Sequence, residues 1–217
     1  MIKLSKRLEA ISNLIEKEDT VIDIGCDHAL LTIFLAFKYN KIYYASDVRE
    51  SALDMARENI KKYKCKNVIL TCKNGLDALE ISQNIDTIVI SGMGHYTITK
   101  MLKTINKRIK KIIIQSNTNQ EIIRKFMVKQ GYYIDKEIVV KDKNIYYIIT
   151  SFKLGKRKYK SYELEIGIFD NKDKSINYIE DEIKKCSLLL KIIPKNKIIR
   201  RLKIKKRLKF LKKFYKK

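Results

Sequence analysis

Val21-Ile22-Asp23-Ile24-Gly25-Cys26-Asp27-His28-Ala29 is the stretch whose reading decides the fold of this 217-residue chain. A short apolar run that stops at a glycine is a buried strand entering a tight turn. Ala29 to Phe37 is almost entirely apolar and long enough for a buried helix. Strand, glycine turn and buried helix together open a parallel α/β unit. The turn holds one glycine, Gly25, where a dinucleotide site needs three in Gly-x-Gly-x-x-Gly to let backbone approach a pyrophosphate. A nicotinamide or flavin dinucleotide is therefore disfavoured.

The same alternation continues in both directions. Leu4 to about Lys17 has the helical pattern Leu8, Ile11, Ile15. Strands are expected at 42–47, 67–72, 85–91 and 109–115, with helices over 50–63 and 119–130, the last stopped by Gly131. Tyr132 to Val140 and Ile145 to Phe152 form a closing antiparallel pair across the polar turn 141–144. Five parallel strands and a terminal pair make a seven-stranded α/β sheet with helices on both faces. Ligands in such sheets sit at the carboxyl ends of the strands, so Gly25, Asp47, Asn74, Gly92 and Asn117 should share one crevice.

The tail obeys another pattern. Ile176, Ile179, Ile183, Cys186, Leu190 and Ile193 recur at three and four, as do Ile204, Leu208, Leu211 and Tyr215. Pro194, the sole proline, separates them. An antiparallel coiled-coil helical hairpin is expected. This divides the chain into a domain over 1–155 and a basic helical domain over 156–217.

Charge follows that division. The formal net charge is +24, from 48 basic and 24 acidic side chains. Residues 1–150 hold 25 basic and 17 acidic groups; residues 151–217 hold 23 and 7. From Lys191 onward there are 14 basic residues and no acid. The 39 lysines against 9 arginines suit AT-rich codons, yet codon bias does not explain where the charge sits. A one-sided basic block marks an anion-binding surface, with nucleic acid the leading partner. Lys195, Lys197, Arg200, Arg201 and Lys205 are the expected RNA contacts, with Lys61, Lys62, Lys64 and Lys66 as a second patch. The missing acids disfavour self-association, so a monomer is expected.

No apolar run spans a bilayer, and the N-terminus lacks the apolar core of a signal peptide, so neither membrane insertion nor secretion is expected. Cys26, Cys65, Cys72 and Cys186 contain no Cys-x-x-Cys pair, and His28 and His95 are the only histidines. These spacings give no metal site and fit reduced thiols in a cytoplasm.

At the strand ends, Asp47 suits both hydroxyls of a ribose, Gly25 gives backbone room for an amino-acid tail, and Asn74 suits an adenine edge. That combination describes an S-adenosylmethionine pocket. Leu4-Ser5-Lys6-Arg7-Leu8, Asp23-Ile24-Gly25-Cys26-Asp27-His28-Ala29, Asn74-Gly75-Leu76, Gly92-Met93-Gly94 and Gln115-Ser116-Asn117 occur in that order. On these motifs, spread over residues 4–130, the chain resembles the bacterial tRNA (adenine(22)-N1)-methyltransferases, a class I Rossmann-like family. It departs from the family pattern at Asn74 (usually an acid), His95 (usually a glycine) and Ser116 (usually a proline).

The resemblance implies S-adenosylmethionine as cofactor and N1 of an adenine in the D-arm of tRNA as the methyl acceptor. It implies cofactor contacts from Asp23, Gly25, Cys26, Asp27, His28, Asp47, Val48, Asn74, Gly75, Gly92 and Met93. N1 has its own lone pair, so an in-line displacement at the sulfonium methyl suffices and no covalent intermediate is required. Asp27 is the candidate group for steadying the charge that forms on the base, or else the cap of the next helix. Asn117 is the candidate reader of the adenine edge, or else a turn residue. His95 is placed to narrow the target pocket, or else, like His28, to position or pack against its neighbours and not to act as a base. Cys26 has no base partner in the sequence, which disfavours thiol chemistry at a pyrimidine. Two other readings stay open: a non-catalytic RNA-binding protein on a decayed methyltransferase fold, and a methyltransferase of another RNA.

Overall fold

The computed structural model describes residues 2–215, without the side chains of Lys172 and Lys174. Lys216 and Lys217, the last two lysines of the basic run, lie outside the described residues. Seven strands form one sheet: β1 (Val21–Ile24), β2 (Tyr43–Asp47), β3 (Val68–Cys72), β4 (Thr87–Met93), β5 (Lys111–Ser116), β6 (Tyr132–Asp142) and β7 (Ile145–Leu154). Their order is β3-β2-β1-β4-β5-β7-β6, parallel except for β7 against β5 and β6.

Side-chain alternation along the strands builds a core on each face. Val21, Val89 and Ile113 point to one face, where α2 (Leu30–Tyr39) and α3 (Glu50–Lys62) cover them through Leu31, Leu35 and Leu53. Ile22, Ile24, Ile88, Ile90, Ile112 and Ile114 point to the other, under α4 (His95–Met101) and α5 (Gln120–Lys129) through Ile98, Ile123 and Met127. Burial on both sides explains the unbroken apolar runs of β1, β4 and β5.

The first helix is shorter than its periodicity predicts. α1 spans Lys6–Ser12, capped by the Ser5 hydroxyl, which accepts from the Leu8 amide. The Ser12 hydroxyl donates back to the Glu9 carbonyl, and the chain breaks into turns that still bury Leu14 and Ile15. α4, α6 (Ser161–Ile166) and the 3-10 turn Gly75–Ile81 carry too few periodic positions to be seen in the sequence.

Beyond Gly155 and α6, α7 (Lys172–Ile192) and α8 (Ile198–Tyr215) form the antiparallel hairpin, with its turn at Pro194. Its seam is as predicted at Ile179, Cys186, Ile193 and Leu211, which are buried, whereas Ile176 and Tyr215 are half exposed. The seam continues onto the sheet: Val139 and Ile148 pack with Ile166, Phe169 and Ile179. A buried ion pair reinforces this junction. Arg124 Nε donates to Glu137 Oε1 at 2.7 Å, and the same carboxylate accepts from Thr150 Oγ1 at 2.6 Å and from the Ile168 amide at 2.7 Å. It ties α5, β6 and β7 to the segment leading into the hairpin.

Candidate active site

A cavity of about 730 Å³ opens at the carboxyl ends of β1, β2 and β4. Asp23, Gly25, Cys26, Asp27, His28, Asp47, Val48, Asn74, Gly75, Gly92, Met93 and Asn117 all line it. The chain thus brings together every residue that the sequence assigned to cofactor or catalysis.

The turn after β1 is tightly specified. Gly25 has φ +78°, and a Cβ there would collide with the Met93 methyl, so both conformation and space demand glycine. The amides of Gly25 and Cys26 both donate to the Ser46 carbonyl, at 2.8 and 2.9 Å. Asp27 and Ala29 are also left-handed, an unusual density of non-glycine residues there, held by the bonds around them. The Asp27 amide donates to Asp47 Oδ2 at 3.3 Å. Asp47 Oδ1 accepts from the Arg49 amide at 3.0 Å. Asp47 is therefore fixed at the lip of β2.

Asp27 does not cap α2, because Ala29 stands at the N-cap and makes no side-chain bond. Its carboxylate instead faces the cavity, 3.3 Å from His28 Nε2 and 3.6 Å from Arg49 Nη2. Asn117 is more than a turn residue: its Nδ2 donates to the Gly92 carbonyl at 2.7 Å and its Oδ1 accepts from Gln115 Nε2 at 3.0 Å. Each end of the amide keeps one free valence, in a fixed orientation.

Arg7, Ser91 and Tyr147 line the cavity too, although no motif assigns a site role to any of them. Arg7 Nη1 donates to Gln115 Oε1 at 2.6 Å, and its guanidinium lies 5.6 Å from the Tyr147 ring centroid. One helix at the start of the chain thus sets the end of β5, a link that spans 108 residues of sequence. The motif Leu4–Leu8 was its only signal.

Asp23 is buried, and its Oδ1 has no hydrogen-bond partner. Burial pushes its carboxyl up to about 7, against the pull of Arg7 and with a further push from Asp47. Burial likewise pushes the Cys26 thiol well above its ordinary value, helped by Asp23 and Asp47. A thiolate is disfavoured there, as expected of a residue that is not a nucleophile.

His95 does not line the cavity, and its contacts fit the reading of a positioning group. Its amide and Nδ1 both bond Thr118 Oγ1, at 3.1 and 2.8 Å, which turns the ring toward the loop after β5. Ser116 orders that loop by hydrogen bonds: its hydroxyl donates to the Thr118 carbonyl at 2.7 Å and accepts from the Thr118 amide at 3.3 Å.

A second cleft of about 750 Å³ shares Asn117 with the cavity and is walled on its far side by Tyr178, Lys185 and Arg207 of the hairpin. Beyond it lie the expected RNA contacts. Lys195, Lys197, Arg200 and Lys205 are exposed. Arg201 is half-buried and donates to the carbonyls of Leu190, at 2.8 Å, and Ile193. It closes the end of α7, whose last carbonyls have no partner within the helix. Among the described residues there is no helix long and apolar enough to cross a membrane, and no cluster of side chains able to hold a metal ion.

Residues 4–150 match a family model described as a methyltransferase domain. A putative tRNA methyltransferase of Mycoplasma genitalium is 30% identical over 162 residues, 72% of this chain and 73% of that one. The Bacillus subtilis tRNA (adenine(22)-N(1))-methyltransferase is 25% identical over 175 residues, 77% of this chain and 73% of that protein. M. capricolum TrmK, solved with S-adenosyl-homocysteine, superposes with a TM-score of 0.87 at 31% identity over 98% of both chains. The chain belongs to the tRNA (adenine(22)-N1)-methyltransferase family. The family likeness therefore covers the hairpin as well as the sheet.

Proposed function

We propose that this protein transfers a methyl group from S-adenosylmethionine to N1 of adenine 22 in the D-arm of tRNA. The observation that carries the reading is the whole-chain likeness, at 31% identity, to a solved relative with S-adenosyl-homocysteine bound. The cavity supports it independently. The unpartnered, buried Asp23 Oδ1 fits an ammonium, the fixed Asp47 carboxylate fits ribose hydroxyls, and Asn74 fits an adenine edge. Gly25 has no Cβ, so its backbone is open to the amino-acid tail once the flexible Met93 side chain beside it shifts. His28, Val48, Gly75, Gly92 and Met93 complete the walls.

S-adenosylmethionine supplies an electrophilic methyl on a sulfonium. The protein has to hold N1 in line with that methyl, which removes most of the entropic cost of the encounter. Asn117, with one free donor and one free acceptor, orients the base. Asp27 lies at the mouth of the cavity, where its charge stabilises the cation spread over N1 and the exocyclic amine and can then take a proton from that amine. N1 lies on the pairing edge, so the base must leave its stack, at a cost of a few kcal/mol. We assign that cost to phosphate contacts of the basic domain over 156–217, through Lys195, Lys197, Arg200 and Lys205, with the domain over 1–155 carrying the chemistry.

The test is incubation with S-adenosylmethionine and an unmodified tRNA transcript, followed by digestion and mass spectrometry of the nucleosides. N1-methyladenosine that disappears when adenine 22 is replaced is the expected result. No methylation, with cofactor binding measured separately, would overturn the choice of substrate; no cofactor binding would overturn the enzyme reading.

A further inference from the structure

The tip of the hairpin is apolar as well as basic. Ile192 and Leu188 at the end of α7 are 75% and 56% exposed, and Ile198, Ile199 and Leu202 at the start of α8 are 64%, 74% and 58% exposed. All lie within eight residues of Pro194. A soluble protein rarely leaves so many aliphatic side chains together in water unless something covers them. Arg201 staples the carbonyls of Leu190 and Ile193 from the opposite helix and so ties the two sides of the tip together. Its charged neighbours, Lys191, Lys195, Lys197, Arg200 and Lys203, are all cationic, and no acid follows Lys191.

That pattern selects the occupant. A second copy of this tip would bring like charges together. A polyanion with apolar faces of its own fits both features at once, and unstacked RNA has them: phosphates outside and base faces within. Leucine and isoleucine serve elsewhere as wedges against base steps. Lysines alone would hold any phosphate backbone and need no apolar apex.

We infer that the aliphatic apex of the hairpin packs against unstacked bases of the tRNA, away from the methylated adenine, while the surrounding lysines and Arg200 hold phosphates. The inference rests on the tRNA reading above and adds a contact that is not electrostatic. It makes the apex a reader of exposed bases, and so of tRNA shape, because helical RNA hides its base faces.

The test keeps charge constant. Ile192→Ser, Ile198→Ser and Ile199→Ser are combined, and circular dichroism checks that the hairpin folds. tRNA affinity is measured across a salt series, together with methylation at saturating tRNA and binding to a fully paired RNA duplex. The expected result is at least a tenfold weaker tRNA complex, the same dependence of affinity on salt, unchanged duplex binding and an unchanged methylation rate at saturation. Unchanged tRNA affinity would overturn the inference. So would an equal loss on the duplex, which would mean that the apex does not distinguish exposed bases. Loss of self-association, or of binding to phosphatidylglycerol vesicles, with tRNA affinity intact would reassign the apex to a second copy or a membrane. The methylation arm separates failures: a wild-type protein that does not methylate tRNA refutes the enzyme reading, whatever the apex does.

Discussion

Asp23 and Asp47 in the cavity are 4% and 5% exposed, while Ile192 and Ile199 at the hairpin tip are 75% and 74% exposed. The two regions place charged and apolar groups by opposite rules. In the cavity, Asp23 and Asp47 are withdrawn from water, and backbone amides hold Asp47 in one position. On the hairpin, cations are spread through solvent, where they act at a distance of about a Debye length and no single one is indispensable. The comparison teaches where precision is required. Methyl transfer depends on the placement of a few atoms; capture of a long polyanion depends on the density of charge.

The sharpest way to break the comparison is to attack the junction between the regions. Arg124→Met leaves Glu137 buried without its cation, and should cost about 3–5 kcal/mol of stability in chemical denaturation. If the sheet unfolds at the same denaturant concentration as the wild type, the two regions are not joined through this pair. Next in size, Asp27→Asn should lower kcat by about 10²-fold with tRNA affinity unchanged. An equal loss in affinity and none in kcat would move Asp27 from chemistry to binding.

A third change targets density instead of position. Lys195→Gln, Lys197→Gln, Arg200→Gln and Lys205→Gln together should weaken tRNA binding by about ten- to a hundredfold. They should also flatten the salt dependence by roughly one unit of slope per cation removed. Cofactor affinity, measured calorimetrically, should not move. Any one of the four alone should have a small effect, unlike Asp27.

A further test of the comparison is in pH. The Asp23 carboxyl is pushed up to about 7 by burial, above its ordinary value of 3.8. Between those values the folded protein holds a proton that the unfolded chain has lost, so stability of the free protein should fall as pH rises from about 4 to about 7. An ammonium placed against Asp23 favours the ionised form. Cofactor binding at pH 6 should therefore release a proton, visible as a heat of binding that depends on the buffer. Asp23→Asn should abolish that dependence; persistence of it would assign the proton elsewhere.

Much of the cavity was legible because strand ends converge. Each of Gly25, Asp47, Asn74 and Gly92 follows an apolar run, and a parallel sheet brings all such positions to one edge. The missed participants come from elsewhere. Arg7 reaches Gln115 from a helix far away in sequence, and no local pattern marks that contact. The direction of His95 is hidden for the same reason, since Thr118 on a neighbouring loop sets it.

The sequence by itself determined the order of the strands and the longer helices, the residues at the sheet's carboxyl edge and the separation of a basic helical hairpin. These follow from apolar periodicity and charge, which are local properties of the chain. Only the tertiary structure decided that Asp27 faces the cavity instead of capping a helix, that Arg201 staples the hairpin, and that a buried Arg124–Glu137 pair ties the hairpin's root to the sheet. It alone also left the aliphatic apex uncovered. Each of these depends on which groups meet across long separations, where burial removes competing water and leaves a side chain one partner or none.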